Sequence, residues 1–251
     1  MNMMDDDEGF TVIRGFCDPI IDQLRDDTDH LMMMRNECVH FEKNKDFGDT
    51  IRTIYGVHMK DQPTYFETFQ WPMKWFYMMR TDDWYCHRTW LNVKAPATSA
   101  GWNWHQDFYT WNKRDFLPEP KLITMAVLLD DVDDEEQGPL CLIPHSHAET
   151  WDVKPTETPE YSDHSRTDPK IVQSMLEENG MYEFYGQAGD VIFYDNVLHY
   201  SEQNTSDKSR RMMFYAFNPC GNRPYRNNTA ICPWSAADDW RPADGQWKMK
   251  P

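Results

Sequence analysis

The chain has 251 residues, 40% hydrophobic, 14% aromatic and 27% charged, with 42 acidic against 25 basic side chains and a formal net charge of −17. That length buries one core, and that balance belongs to a folded globule rather than a disordered chain. So acidic a surface, with no Lys/Arg run to compensate, repels phosphate backbones and anionic membranes, which argues against nucleic-acid and membrane partners.

The N-terminus, MNMMDDDEGF, is acidic where a signal or transit peptide would be basic. Phe10 to Ile13 reads as a short strand, and Asp18-Pro19 followed by IIDQLRDDTDHLMMM reads as a capped amphipathic helix. Residues 63–80, PTYFETFQWPMKWFYMMR, suggest a second helix interrupted near Pro72. From about residue 84 the period becomes that of strands: WYCHRTWLNVK, LITMAVLLD, LCLIP, DVIFYD and RMMFYAF are short apolar runs separated by turn residues. Many short strands without a βαβ rhythm predict a mainly β, antiparallel sandwich or jelly roll. Residues 148–180, polar and rich in Pro, Asp and Glu, read as an irregular insertion that serves as a lid. The tail from about residue 219 looks loop-like. With no internal repeat or linker, residues 1–251 are expected to form one domain, with helical support in 10–80 and a β core over about 84–218.

Six cysteines (Cys17, Cys38, Cys86, Cys141, Cys220, Cys232) show no CxxC pair, so reduced thiols in a cytoplasmic protein are expected, as a monomer or homodimer. No apolar run approaches the ~20 residues of a membrane helix.

The chemistry centres on His105-Gln106-Asp107. On a strand, residues i and i+2 share a face, so an imidazole and a carboxylate can converge on one ion. Downstream, His199 follows the strand-like DVIFYDNVL, and Arg210 stands eleven residues later. Two histidines and a carboxylate on one face of an octahedron leave three positions open, the arrangement of non-haem Fe(II) oxygenases. A dicarboxylate chelating iron at one end needs a cation at the other, and a guanidinium grips a carboxylate bidentately. Ser201, on the face of His199, would add a hydroxyl. Arg211 competes for the anchor, but neighbouring strand residues face opposite ways, and the spacing favours Arg210.

The segments HQDFYTW, GPLCLIPHSH and HYSEQNTSDKSR, with RTIYGVH at 52–58 and LNVKAP at 91–96, resemble the phytanoyl-CoA dioxygenase superfamily, particularly its ectoine hydroxylase and bacterial proline hydroxylase branches. The resemblance spans about residues 50–220. It implies a double-stranded β-helix of the cupin-like kind and Fe(II), 2-oxoglutarate and O2 as cofactor and co-substrates. Position by position it implies His105, Asp107 and His199 as iron ligands. Arg210 and Ser201 would then hold the distal carboxylate of 2-oxoglutarate, with Asn92 and Trp111 beside co-substrate or iron. Where the ectoine enzymes carry Gln and Arg flanking a Ser, this chain has Arg88, Thr89 and Trp90, which puts ectoine itself in doubt as substrate. Gln106 stands where Ser is usual, and His145 replaces the Gly of a PGSH-like turn. Arg88, Trp90, Trp104 and Phe108 are the candidate substrate-pocket residues. Trp102 and Trp104 read equally as core.

His58, His87 and His147 read as structural, and the acidic DDVDDEE at 130–136 as a solvated turn, since it lacks EF-hand spacing. The expected activity is hydroxylation of a small amino-acid-like or zwitterionic metabolite. The alternative is oxidative cyclisation or desaturation in the manner of kainoid synthases, with the same iron site. Halogenases of the superfamily carry a small residue in the carboxylate position, so Asp107 argues against halogenation. A non-catalytic cupin-like binding protein is the rival class, and it would have no need of Arg210 and Ser201 at that spacing.

Overall fold

A computed structural model describes residues 7–36, 38–42, 48–57, 66–79, 84–97, 99–149, 153–154 and 166–223. Thirteen strands are present among them: β1 (Phe10–Ile13), β2 (Val39–Phe41), β3 (Ile51–Tyr55), β4 (Trp84–Lys94), β5 (Trp102–His105), β6 (Ile123–Leu128), β7 (Leu140–Leu142), β8 (Val153–Lys154), β9 (Arg166–Thr167), β10 (Tyr182–Phe184), β11 (Val191–Tyr194), β12 (His199–Ser201) and β13 (Arg210–Pro219). Four helices accompany them: α1 (Ile21–Met33), α2 (Trp71–Met79), α3 (Asp107–Asp115) and α4 (Pro169–Asn179).

A seven-stranded sheet runs β1-β11-β6-β13-β4-β3-β2 and a four-stranded sheet β10-β7-β12-β5, with antiparallel pairings throughout. This is the jelly-roll, double-stranded β-helix architecture. The near-continuous apolar runs of the sequence follow from burial on both faces. Along β13, Met213, Tyr215 and Phe217 join the core beneath α1 and α2, while Met212, Phe214 and Ala216 face the space between the sheets. The same alternation divides Val191 and Phe193 from Ile192 and Tyr194 on β11. Leu24 and Leu31 of α1 and Met73 and Phe76 of α2 close the outer core, where Phe76 stacks on Phe217 with centroids 3.7 Å apart.

Several expectations need correction. The large sheet recruits β1, β2 and β3 from the region read as helical support, so the β core does not begin at residue 84. Asp18 lies in a 3-10 turn ahead of α1 and makes no capping hydrogen bond. Pro72 sits in the first turn of α2, where it has no helical hydrogen bond to break. The supposed irregular stretch 148–180 contains α4, whose Asp168 side chain accepts from the Lys170 N–H at 3.0 Å, with Pro169 next and Gly180 closing the C-terminus. Residues 150–152 and 155–165, the heart of the proposed lid, lie outside the described residues, as do His58 and the tail beyond 223.

Candidate active site

His105 ends β5, His199 begins β12, and the two are direct partners in the antiparallel ladder. Their rings therefore stand side by side, with centroids 4.3 Å apart. Each ring is locked the same way. The His105 Nδ1–H donates to the Asn103 carbonyl at 2.6 Å, and the His199 Nδ1–H donates to the Val197 carbonyl at 2.9 Å. A carbonyl only accepts, so both protons sit on Nδ1 and both Nε2 lone pairs point inward.

Asp107 does not reach them by strand alternation, as the sequence suggested. The strand stops at His105, and Asp107 opens α3 with Gln106 at the N-cap. This strand-to-helix corner brings Asp107 Oδ1 to 3.7 Å from His105 Nε2 and 3.8 Å from His199 Nε2. One ligand atom from each of the three residues lies within 4.8 Å of the others. Gln106 pins the corner. Its buried amide nitrogen donates to the carbonyls of Asn196 at 2.7 Å, Glu149 at 2.9 Å and Ser146 at 3.2 Å.

The residues fit a divalent metal. Asp107 Oδ2 is buried with no hydrogen-bond partner among the described residues, and burial raises the carboxyl above its usual range. A desolvated carboxylate lacking a partner beside two fixed lone pairs is a site short of a cation. Two imidazoles and one carboxylate suit non-haem Fe(II).

At one end of the cavity Arg210 is 1% exposed. Its Nη2 donates to Ser201 Oγ at 2.6 Å and to the Gly138 carbonyl at 2.9 Å. Burial pushes the guanidinium down to about 9, so it stays charged at neutral pH. Arg211 faces outward and pairs with Asp130 at 2.7 Å, which makes part of the acidic 130–136 turn an ion-pair partner rather than a wholly solvated run. Sequence reasoning missed Lys94. It is fully buried, donates to the Gly138 carbonyl at 3.1 Å, and also reaches Ser201 Oγ and the Glu202 carbonyl. Burial first, then the charges of Arg210 and Arg52, drive its amine well below the ordinary lysine value. A buried guanidinium with a buried amine beside it favours an anion, which would also restore the charge on Lys94. Gly138, at φ +64, lets Lys94 and the Glu202 backbone approach closer than any Cβ would allow.

The cavity between the sheets is lined by the triad, Arg210 and Ser201. Arg88, Trp90 and Asn92 of β4 line it too, with Thr110 and Trp111 of α3, Tyr55, Tyr194 and Phe214. Asn92 Oδ1 accepts from Thr53 Oγ1 at 3.1 Å, and Trp90 stacks on Phe214 at 5.0 Å. Two candidate pocket residues are elsewhere. Trp104 alternates away from His105, stacks on Tyr200 at 4.1 Å and packs against α4. Phe108 points into the core between the sheets and does not line the cavity. Lys94 continues the parity of Arg88, Trp90 and Asn92 along β4.

The phytanoyl-CoA dioxygenase family matches residues 6–212. The chain belongs to that family. Within it, the chain is 32% identical over 146 residues to an ectoine dioxygenase from Bordetella parapertussis, covering 55% of this chain and 47% of that protein. It is 30% identical over 152 residues to the L-proline trans-4-hydroxylase of Streptomyces griseoviridis, covering 56% of each. The chain thus spans about half the length of these family relatives. The crystal structure of EctD from S. alaskensis with 2-oxoglutarate and 5-hydroxyectoine shares the fold, with a TM-score of 0.67 at 21% identity over 87% of this chain and 75% of that one. No helix among the described residues is long and apolar enough to cross a membrane, and no disulfide joins the cysteines among the described residues.

Proposed function

We propose that the protein is an Fe(II)- and 2-oxoglutarate-dependent oxygenase that hydroxylates a small amino-acid-like or zwitterionic metabolite, using O2. The observation that carries this is one cavity holding both the three-ligand cluster and, at its end, buried Arg210 on Ser201. His105, Asp107 and His199 would hold the iron, whose chemistry is the oxidative decarboxylation of 2-oxoglutarate coupled to attack on a substrate C–H bond. Arg210, Ser201 and Lys94 would hold the distal carboxylate of the co-substrate, their charge and hydrogen bonds fixing which end lies at the metal. Asn92 and Trp111 form cavity wall beside it. The aromatic lining of Tyr55, Trp90, Trp111 and Phe214 excludes water from the reacting volume. The ectoine dioxygenase and proline hydroxylase relatives support a small cyclic amino-acid-like substrate. Acidic composition and free thiols support a cytoplasmic location and a single catalytic domain working on a diffusible molecule.

The test is turnover of Fe(II)-loaded protein with 2-oxoglutarate in air. Succinate should form in wild type and fall to background without iron or O2, or in His199→Ala. Succinate formation independent of iron, or none with any small zwitterion, would contradict the reading. Product mass separates outcomes, since hydroxylation adds an oxygen and cyclisation or desaturation removes two hydrogens.

A further inference from the structure

Strand β4 carries a second buried cation on its cavity side, far from the one that serves the co-substrate. The ladder with β13 slips between Ala216 and Phe217, so that Ala216 opposes Arg88, Phe217 opposes Cys86, and His87 is the extra residue of a bulge. A bulge re-aims side chains beside an active site. Here His87 and Arg88, consecutive in sequence, meet the same atom. His87 Nε2 lies 2.7 Å and Arg88 Nη2 2.9 Å from Asp115 Oδ2. All three residues are buried, and Arg88 lines the cavity. A buried ion pair adds little stability over apolar residues of the same volume, so packing alone does not explain one in a cavity wall.

Distance along the elements places this pole. From Arg88 to Lys94, β4 rises roughly 20 Å at ~3.3 Å per residue, with Trp90 and Asn92 between them on the cavity side. From Asp107 to Asp115, α3 rises about 12 Å at ~1.5 Å per residue. Arg88 thus lies some six residues along β4 from Lys94, the neighbour of Arg210 through Ser201 and the Gly138 carbonyl, while His105, Asp107 and His199 line the same cavity as Arg88 and Arg210. Trp90, Trp111 and Phe214 line that cavity too.

We infer that Arg88 is the specificity-determining residue for the primary substrate, gripping a carboxylate of an amino or imino acid, and that Asp115 and His87 are its positioning residues. A flat guanidinium fork matches a carboxylate, and anchoring it on a buried Asp fixes the plane of the fork before substrate arrives. The inference rests on the oxygenase reading above and names its substrate class.

The test follows the visible band of the anaerobic Fe(II)–2-oxoglutarate complex as the twenty proteinogenic amino acids, and the same molecules as α-carboxamides, are added. At least one amino acid should perturb the wild-type band, with its carboxamide needing at least about ten-fold more, the scale of a charge-assisted hydrogen bond. The doubly neutralised variant, Arg88→Gln with Asp115→Asn, should keep the 2-oxoglutarate band and lose that response by a similar factor. A carboxamide as effective as the acid, a response retained in the double variant, or no amino acid acting on the wild-type band would overturn the inference. Should the double variant lose the 2-oxoglutarate band itself, Arg88→Lys decides. That variant keeps the charge and gives up the fork, so a ten-fold fall in preference for acid over carboxamide supports the inference and an unchanged preference overturns it. No band from 2-oxoglutarate in wild type would instead strike the oxygenase reading on which the inference stands.

Discussion

On the proposed reading of Asp107 as a metal ligand, the demands of folding and of metal binding pull in opposite directions there. A buried carboxylate with a partnerless oxygen costs stability in the metal-free protein, and its acidity is weakened accordingly. Metal-free Asp107→Asn should therefore melt a few degrees above metal-free wild type at neutral pH, while adding Fe(II) should raise the wild-type midpoint and leave the variant unmoved. A variant melting below wild type without metal would show that the carboxylate is already satisfied. His87 makes a second residue-scale prediction. Burial, outweighing the pull of Asp115, holds its imidazole below the ordinary 6.5. On acidification the unfolded chain takes a proton that the folded one refuses, so this stability is full above 6.5 and declines as pH falls below it. Denaturant midpoints at pH 7.5 and 5.5 should differ more in wild type than in His87→Gln, and equal differences would sink the assignment. The grouping of His105, Asp107, His199 and Arg210 on one cavity was legible in the sequence, although Asp107 reaches it from the start of α3 rather than by strand alternation. Lys94 was not, because a lysine at the end of an apolar run also reads as an ordinary solvated strand terminus.

The elements around the site are corners more than strands. Gln106 holds the β5–α3 corner to two other loops through backbone carbonyls, and Ser146 ties the PHSH turn to β12 by donating to the Ile143 carbonyl and accepting from the Leu198 N–H. Gln106→Ala leaves those buried carbonyls without the amide and should cost about 2 kcal/mol. It should also weaken Fe(II) binding, because the same corner aims Asp107. Calorimetric iron titration beside a denaturation curve checks both, and full iron affinity in a destabilised variant would separate the corner from the ligand. Periodicity predicted β4, β6, β11 and β13 well, since their runs are long and apolar on both faces. It failed at α3, where the helix follows the strand with no Gly or Pro between His105 and Asp107, so the HQD triplet reads as strand. It failed also at α4, although Asp168, Pro169 and Gly180 supplied ordinary start and stop signals inside a stretch judged by its polarity. Trp104 was misplaced for the related reason that alternation fixes a face only once one knows which residue of the pair points inward.

Among the described residues, two sheets enclose a cavity with two histidines and a carboxylate clustered in its wall, and helices α1 and α2 cover the outer face of the larger sheet. The fold class was legible because sheet-forming runs and a two-histidine-one-carboxylate spacing agreed, and each constrained the other. What holds Arg88 in the cavity wall was not, since that depends on a bulge in β4 and on Asp115 at the end of α3. The direct test of the central claim is anaerobic titration of Fe(II)-loaded protein with 2-oxoglutarate, followed by the visible charge-transfer band of the chelate. Wild type should develop the band, His199→Ala should not, and Arg210→Ala should require at least about ten-fold more 2-oxoglutarate, the loss of one charge-assisted contact. A wild type that binds iron yet shows no band, or an Arg210→Ala variant that titrates like wild type, would contradict the account.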